Sequence, residues 1–334
     1  MSALPTTKLL ASYWIPYVGI GKPEQRVTVP LTDIANYVLA NGRPQTSVVF
    51  LGFGVFTGTP QNFTPPYISV PQDLIQQMTL QPGQTQTNVQ YLQSLGIKVL
   101  LSVMGWRPND VDPGMGWDGV PLAQNEPFAL WVKKEIIDAY GLDGIDIDNE
   151  FSNLPENTQS FMNTVATLRF YLPGSLLTKA LWADTDYFTC PVSNAPGNVG
   201  AYLSGLLDLG CTMAYGYNTG DQQAFIEGYT QITANGGNVG MAWNQLCLGV
   251  QAGPPESDWM TAIDEVQALA QWVVEQPQAR PCGMMLFTFP QDIQQWTHWP
   301  QNSPGYMYPN TNDHEWQKAI IQGMWGSGNW IVKS

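Results

Sequence analysis

The chain has 334 residues, 44% of them hydrophobic and 12% charged, with 13 basic against 27 acidic side chains and a formal net charge of −14. This composition can supply a large core, yet no apolar run approaches the ~18 residues of a membrane-spanning helix. No Lys/Arg cluster is present either. The sequence therefore argues against binding to a nucleic-acid backbone or to an anionic membrane.

A shortage of charge is the second compositional feature. The charged fraction of 12% is about half of the ~25% usual in soluble proteins. Gln, Asn, Thr, Gly and aromatic residues take the place of charged ones, among them 13 Trp and 14 Tyr. Neutral polar groups beside flat apolar rings suit an uncharged, hydroxyl-rich ligand such as a sugar. For any single Trp, packing in the core or in a loop is the more common role.

The four cysteines are widely spaced and form no C-x-x-C pair: Cys190, Cys211, Cys247 and Cys282. They predict neither a disulfide framework nor a zinc site. We expect buried free thiols, with a single bridge as the open alternative. No metal or other cofactor is expected.

The first residues, Met-Ser-Ala-Leu-Pro-Thr-Thr-Lys, lack the charged and apolar regions of a secretory signal peptide. Three expectations stay open: the protein is cytoplasmic, it leaves the cell by another route, or its signal has been removed. The low charge and the sugar-suited composition favour an extracellular role, by a route that is not visible in this sequence.

Short β-rich runs alternate with longer segments of helical period, which is the pattern of a parallel sheet with crossover helices. The predicted strands are residues 8–14, 47–53, 97–104, the acidic stretch 142–150, 176–182, 211–217, either 239–243 or 246–250, and 283–289. The predicted helices are residues 31–40, a segment ending at Leu95, 128–140, 155–171, 198–207, 221–234, 259–276 and 315–323.

Eight strand–helix units predict an α/β fold, a single (β/α)8 TIM barrel with long βα loops. No linker, charge block or change of composition divides the chain, so one domain is expected over residues 1–334. The loop 105–125 is long for a compact domain, and its content of Trp favours a binding role. In such barrels the chemistry lies at the C-terminal ends of the strands.

One row of acidic side chains stands at such a position. Successive side chains of a strand point to opposite faces, so Asp146, Asp148 and Glu150 share one face, while Ile145 and Ile147 point into apolar packing. Three neighbouring carboxylates repel one another unless some are protonated or strongly hydrogen-bonded. The row therefore predicts a protonated acid beside an ionised partner, as general acid catalysis requires.

These residues also carry a family resemblance. The stretch 142–150 is similar to the D-x-x-D-x-D-x-E signature of glycoside hydrolase family 18 on barrel strand four, and Asp143, Asp146, Asp148 and Glu150 fill its acidic positions. Residues 98–105 (KVLLSVMG) resemble the third-strand segment of that family. Met213-Ala-Tyr215 resembles the M-x-Y of its sixth strand.

Within the family, residues 140–152 are more similar to the Endo H and Endo F type endo-β-N-acetylglucosaminidases than to typical chitinases. Two departures weaken a chitinase assignment further. Gly216 follows Tyr215 where chitinases usually have Asp, and Phe287 stands near the end of strand eight where they tend to have Trp. The second change concerns the floor of the sugar site.

The resemblance implies substrate-assisted catalysis with retention, an exception to the two-carboxylate scheme. Glu150 would protonate the glycosidic oxygen, and the 2-acetamido oxygen of the substrate would attack the anomeric carbon to give an oxazolinium-like intermediate. Asp148 would orient the acetamido N–H, and Asp146 behind it would share a proton. Tyr215 would hold the acetamido oxygen in line for attack. Asp143, out of phase with the other three acids, is expected to support the strand.

Positions near strand exits supply the predicted sugar contacts, which are Trp106, Met213, Asn218, Trp243, Asn244 and Phe287. Tyr13, Phe53 and Phe289 lie near other strand ends and are interpreted equally as ligand contacts or as barrel filling.

Three functions remain open. They are an endo-β-N-acetylglucosaminidase that cuts the chitobiose core of N-linked glycans, a chitinase acting on β-1,4-linked N-acetylglucosamine, and a non-catalytic carbohydrate-binding barrel. The only histidines, His298 and His314, lie in the C-terminal segment, which makes a Ser-His-Asp triad or a His-rich metal site improbable. The expected partner is an N-acetylglucosamine-containing glycan or glycoprotein, bound by a monomer.

Overall fold

Eight parallel strands close into a barrel in which each strand pairs with its neighbours in chain order. The computed structural model describes residues 4, 8–16, 29–105, 115–149, 157–182, 185–215, 217–253, 260–276, 283–292 and 314–333. The barrel strands are β1 Leu9–Trp14, β2 Val48–Phe56, β3 Lys98–Met104, β4 Gly144–Asp148, β5 Leu176–Leu181, β6 Leu209–Thr212, β7 Leu246–Gln251 and β8 Gly283–Phe287. The ring closes because β1 pairs with β8 on one side and with β2 on the other.

Helices surround this barrel. They are α1 Gln72–Met78, α2 Asn88–Ser94, α3 Asn125–Trp131, α4 Thr158–Tyr171, α5 Thr185–Thr189, α6 Leu203–Leu206, α7 Thr219–Thr230, α8 Ile263–Glu275, α9 Phe289–Asp292 and α10 Glu315–Trp325. A π-helical segment, Val132–Asp138, continues α3. Within the described ranges, no helix combines the length and the apolar character needed to cross a membrane.

Strand alternation divides the apolar residues into two clusters. The outer cluster lies between the barrel and its helices and contains Ile145 and Ile147 of β4. The inner cluster fills the barrel and includes Ala11, Phe50 and Leu100. Because Ile145 and Ile147 face outward, the alternating residues of β4 face the barrel interior. The predicted apolar face of this strand is thus confirmed, and the predicted acidic face is confirmed for Asp146 and Asp148.

The predicted barrel is confirmed, while two predicted helices are wrong in extent. Residues 31–40 form only the 3-10 helix Leu31–Asn36, since Tyr37–Val38 pairs as a strand with Ile331–Val332. Residues 198–207 reduce to α6. Gly200 in that segment has φ +83°, a left-handed conformation that interrupts a right-handed helix.

The sixth and seventh strands refine the prediction. β6 begins two residues earlier than expected and ends at Thr212, before the M-x-Y segment. Of the two possible seventh strands, the one that joins the barrel is Leu246–Gln251. This choice determines which residues of the segment reach the C-terminal mouth of the barrel.

Candidate functional site

A cavity of about 390 Å³ opens at the C-terminal ends of the barrel strands. Its wall is built from residues in the C-terminal halves of seven of the eight strands or just beyond them, which are Tyr13, Phe53, Asp148, Trp182, Met213, Tyr215, Gln251 and Phe287. A cavity at this end of a (β/α)8 barrel occupies the position where such folds place their ligands.

Asp146 lies beneath the cavity and is fully buried. Strand register explains its surroundings, because Ser102 of β3 and Thr178 of β5 are its Cα partners on either side. The Ser102 hydroxyl donates to Asp146 Oδ2 at 2.7 Å, and the Thr178 hydroxyl donates to Oδ1 at 2.6 Å. A third hydroxyl, from Tyr13 on β1, donates to Oδ2 at 2.7 Å. Both carboxyl oxygens of Asp146 are therefore engaged.

Two opposing influences act on the pKa of Asp146. Burial raises this pKa above its ordinary value, while the three hydroxyl donors and the charge of Lys179 oppose the increase. Lys179 is itself buried on β5, where its Nζ donates to Ala180 O at 2.7 Å. The ammonium lies 5.8 Å from the ring centroid of Phe161 and 5.9 Å from that of Tyr187. A cation inside the wall of the barrel thus partly offsets the cost of a buried carboxylate.

Asp148 ends β4 and, two positions beyond Asp146, faces the same side of the strand. It is 2% exposed and lines the cavity. Tyr13 lies close to both carboxyls, and burial, followed by the negative charges of Asp146 and Asp148, raises the pKa of its hydroxyl well above the ordinary value. Tyr13 therefore stays protonated and remains a hydrogen-bond donor at ordinary pH.

Aromatic side chains form the apolar part of the wall. The ring of Tyr215 stacks on Phe287 with centroids 5.8 Å apart and an interplanar angle of 28°. Tyr13 contacts Phe287 and Phe53, at centroid distances of 5.4 Å and 5.9 Å. Met213 completes this surface. A cavity with aromatic faces and one lining carboxylate can hold an uncharged polar ring while an anion contacts one of its N–H or O–H groups.

Asp143 lies at the opposite end of β4, just before its first residue. Its carboxylate accepts hydrogen bonds from Lys98 Nζ at 3.0 Å, from the Val99 backbone N–H at 3.0 Å and from Gln93 Nε2 at 2.9 Å. These bonds join the start of β4 to β3 and to α2. The contacts fit the predicted supporting role.

Three predicted sugar contacts lie elsewhere. Asn218 is the N-cap of α7: its side chain accepts from the Asp221 backbone N–H at 3.0 Å, and it does not line the cavity. Trp243 and Asn244 belong to the 3-10 helix Trp243–Gln245, which precedes β7 and so lies at the entrance of that strand. The prediction that they follow a strand is wrong. Trp243 instead packs edge-to-face on Trp272 of α8, with centroids 6.0 Å apart.

Two predicted residues, Glu150 and Trp106, lie outside the described residues. Their roles as proton donor and sugar contact stay predictions. Met213 and Phe287 do line the cavity, as do Tyr13 and Phe53, whereas Phe289 is buried in the outer cluster.

Sequence reasoning missed two residues of the wall, Trp182 and Gln251. Trp182 directly follows β5, and Gln251 is the last residue of β7. A strand-exit rule would have found Trp182 at the end of β5, and Gln251 once the correct seventh strand was chosen. Among the described cysteines, Cys211 and Cys247 are buried and Cys190 is partly buried.

Comparison with known proteins places this site in context. No protein-family model matches the chain. The chain is 33% identical over 147 residues to an endo-β-N-acetylglucosaminidase of Flavobacterium sp. (strain SK1022), an alignment that spans 42% of this chain and 42% of that relative.

Two solved structures share the fold. A family 18 chitinase from Pseudoalteromonas aurantia has a TM-score of 0.57 at 15% identity, covering 95% of this chain and all of the other. EndoBT-3987 of Bacteroides thetaiotaomicron, solved with a Man5GlcNAc product, has a TM-score of 0.57 at 15% identity, covering 86% of this chain and 57% of the other. These structures establish the barrel, and the partial sequence match supports the resemblance to family 18.

Proposed function

We propose that this chain is a family 18 type glycoside hydrolase that cleaves a β-1,4 linkage next to N-acetylglucosamine with retention, as an endo-β-N-acetylglucosaminidase acting on the chitobiose core of N-linked glycans. One arrangement carries the proposal. Asp148 lines a cavity with aromatic walls at the barrel mouth, and the fully hydrogen-bonded Asp146 lies behind it. Asp148 would then hold the acetamido N–H of the substrate.

The positions and hydrogen bonds of the two carboxylates favour a nucleophile that comes from the substrate. In a two-carboxylate retaining mechanism, an enzyme carboxylate attacks the anomeric carbon. Asp146 is unsuited to that task, because it lies under the cavity and accepts from three hydroxyls. Asp148 is the one carboxylate that lines the cavity among the described residues. With Asp148 engaged by the acetamido N–H, the acetamido oxygen held beside it would serve as the nucleophile.

The remaining steps follow from this geometry together with the sequence prediction for Glu150. Glu150 would protonate the glycosidic oxygen as the bond to the anomeric carbon breaks. Tyr215, whose side chain lines the cavity, would donate its hydroxyl to the acetamido oxygen and keep that oxygen in line. Glu150, now ionised, would take a proton from the water that opens the oxazolinium ring. The product leaves with the original anomeric configuration.

The choice of the N-glycan core rests on the partial sequence match to a relative and on the local sequence around the acidic row. The 147-residue match is to a protein named endo-β-N-acetylglucosaminidase. Residues 140–152 resemble enzymes of the same type. Chitin cleavage is the competing outcome, because barrels of both kinds resemble this one.

A paired assay tests the proposal. The protein is incubated with a high-mannose glycoprotein and, separately, with a soluble chitin oligomer, and the products are identified by mass spectrometry. Release of a glycan that keeps one N-acetylglucosamine, from the glycoprotein only, is the expected result. Cleavage of the oligomer only would contradict the proposal and identify the protein as a chitinase. Cleavage of neither substrate at any pH would leave a carbohydrate-binding barrel.

The mechanism has its own test. An N-acetylglucosamine thiazoline is a stable analogue of the oxazolinium intermediate, and we expect it to inhibit competitively and to bind more tightly than N-acetylglucosamine. A cleaved substrate whose product shows inverted anomeric configuration by NMR would refute substrate assistance, even if the predicted bond is the one that breaks.

A further inference from the structure

Gln251 is a cavity residue for which the mechanism above has no use. It ends β7 and is 8% exposed, and its side chain forms part of the wall. The backbone on either side is well fixed: the Gln251 N–H donates to Thr261 Oγ1 at 3.3 Å, and the Ala252 N–H donates to Phe287 O at 2.8 Å. The side-chain Nε2 donates to Gly253 O over a long 3.4 Å.

Gln251 and Asp148 lie on different walls of the cavity. Strands β5 and β6 lie between β4 and β7, so the two side chains reach the cavity from different walls. Gln251 pairs in register with Phe287 on β8, which places its carboxamide next to an aromatic face. A sugar ring that presents its acetamido group to Asp148 would then have another edge available to the wall that contains Gln251.

We propose that Gln251 is a specificity-determining residue whose carboxamide hydrogen-bonds a hydroxyl group of the same sugar ring that Asp148 holds by its acetamido group. The inference rests on the proposed function, because it takes an N-acetylhexosamine as the ligand. A carboxamide both donates and accepts, which matches a hydroxyl group that does the same.

The chemistry of the wall explains why an uncharged amide suits this position. Asp146 and Asp148 already place two carboxyls at the barrel mouth. A carboxylate at position 251 would raise the pKa values of these acids through like-charge repulsion. An apolar residue would leave a sugar hydroxyl without a partner after its water is displaced. Glutamine satisfies the hydroxyl and adds no charge.

The first test is Gln251→Leu, which keeps the approximate volume and removes the hydrogen bond. We expect KM for the cleaved substrate to rise about 5- to 10-fold, the effect of one neutral hydrogen bond, while kcat changes less than about 2-fold. The affinity for tri-N-acetylchitotriose, measured by calorimetry, should fall by the same factor. Gln271→Leu on the exposed face of α8 is the matched control and should behave as the parent protein.

The second test is Gln251→Glu, which keeps the shape and adds a charge. We expect the pH–rate profile to move to higher pH, because a nearby anion raises the pKa of the catalytic acids. Gln271→Glu adds the same charge on the surface and should leave the profile in place. A residue with a purely structural role would lower the melting temperature of both Gln251 variants without moving either KM or the profile.

The outcomes separate this inference from the proposed function. Unchanged KM and unchanged affinity in Gln251→Leu would overturn the assignment of Gln251 while leaving the hydrolase intact. A parent protein that binds tri-N-acetylchitotriose but cleaves no substrate would overturn the proposed function, and the affinity of Gln251→Leu would still decide the role of Gln251. A parent protein that neither binds nor cleaves would overturn both.

Discussion

Asp146 and Asp292 are both buried aspartates, yet their surroundings differ in kind. Asp146 accepts from three side-chain hydroxyls at the bottom of the cavity. Asp292, at the end of α9, accepts from the backbone N–H groups of Trp316 at 3.0 Å and Gln317 at 2.8 Å. Burial raises the pKa of both carboxyls, that of Asp292 to about 7.

The difference separates a carboxyl placed for chemistry from one placed for structure. The Asp292 carboxylate lies against the first turn of α10, where backbone N–H groups lack intrahelical partners and favour an anion. Asp146 is instead next to Asp148, which lines the cavity. A raised pKa alone therefore does not identify the site. Access to a cavity is the better guide: under the proposed function it places catalysis with Asp148 and leaves Asp292 a structural role.

The largest effect should come from Glu150→Gln, which keeps the shape of the predicted proton donor and removes its proton. We expect hydrolysis to fall about 10²- to 10⁴-fold, the range of general acid–base catalysis, with sugar binding largely intact. Asp292→Asn, measured beside it, should retain parent activity. Near-normal turnover in Glu150→Gln would show that another group protonates the glycosidic oxygen.

Asp148→Asn is expected to come next. The amide can no longer offer an anion to the acetamido N–H, so stabilisation of the developing oxazolinium charge is lost, and kcat should fall about 100-fold. Thermal unfolding should change little, because the side chain faces a cavity. A fall in melting temperature with unchanged kcat would show that Asp148 has a structural role and not a catalytic one.

Asp146→Asn should have a smaller effect on the rate, about 10-fold, because Asp146 acts through Asp148. The amide group replaces one acceptor with a donor and confronts a hydroxyl that donates to Asp146 in the parent protein. We expect the pH–rate profile to shift as well, since a buried ionisable group next to Asp148 is gone. A loss of rate without any shift of the pH–rate profile would show that Asp146 has only a packing role.

The barrel was predictable because its signals are local. Apolar runs such as β3 and the alternation of β4 follow from strand geometry, and the order of elements then leaves few possible topologies. The hydroxyls around Asp146 were not predictable. Ser102 and Thr178 reach Asp146 through the register between strands, which depends on non-local pairing.

One ambiguous strand accounts for the main error at the site. Had residues 239–243 formed the seventh strand, Trp243 and Asn244 would stand at its exit. The barrel uses Leu246–Gln251, so these two residues lie at the entrance and Gln251 takes the exit. Asp292 was overlooked for a similar reason, because its partner Trp316 lies 24 residues further along the chain.

The smallest effect on activity and the clearest effect on stability are expected from Asp292→Asn. The folded pKa of about 7 lies above the ordinary Asp value, so the folded state holds this proton more tightly than the unfolded chain does. The contribution of protonated Asp292 to the free energy of unfolding is complete below about pH 4 and is lost as pH rises to about 7. His314, at the start of the same helix, acts in the opposite sense: burial lowers its pKa to about 3.

The unfolded chain takes up the His314 proton below about pH 6.5, so that contribution is lost as pH falls. In the parent protein the two slopes oppose each other between about pH 4 and 6.5, whereas in Asp292→Asn only the His314 slope remains. Urea unfolding across this range should therefore show stability rising with pH more steeply in the variant, by at most about 1.4 kcal/mol per pH unit. Parallel curves for the two proteins would mean that Asp292 is already ionised in the fold at low pH, and that its two backbone donors outweigh its burial.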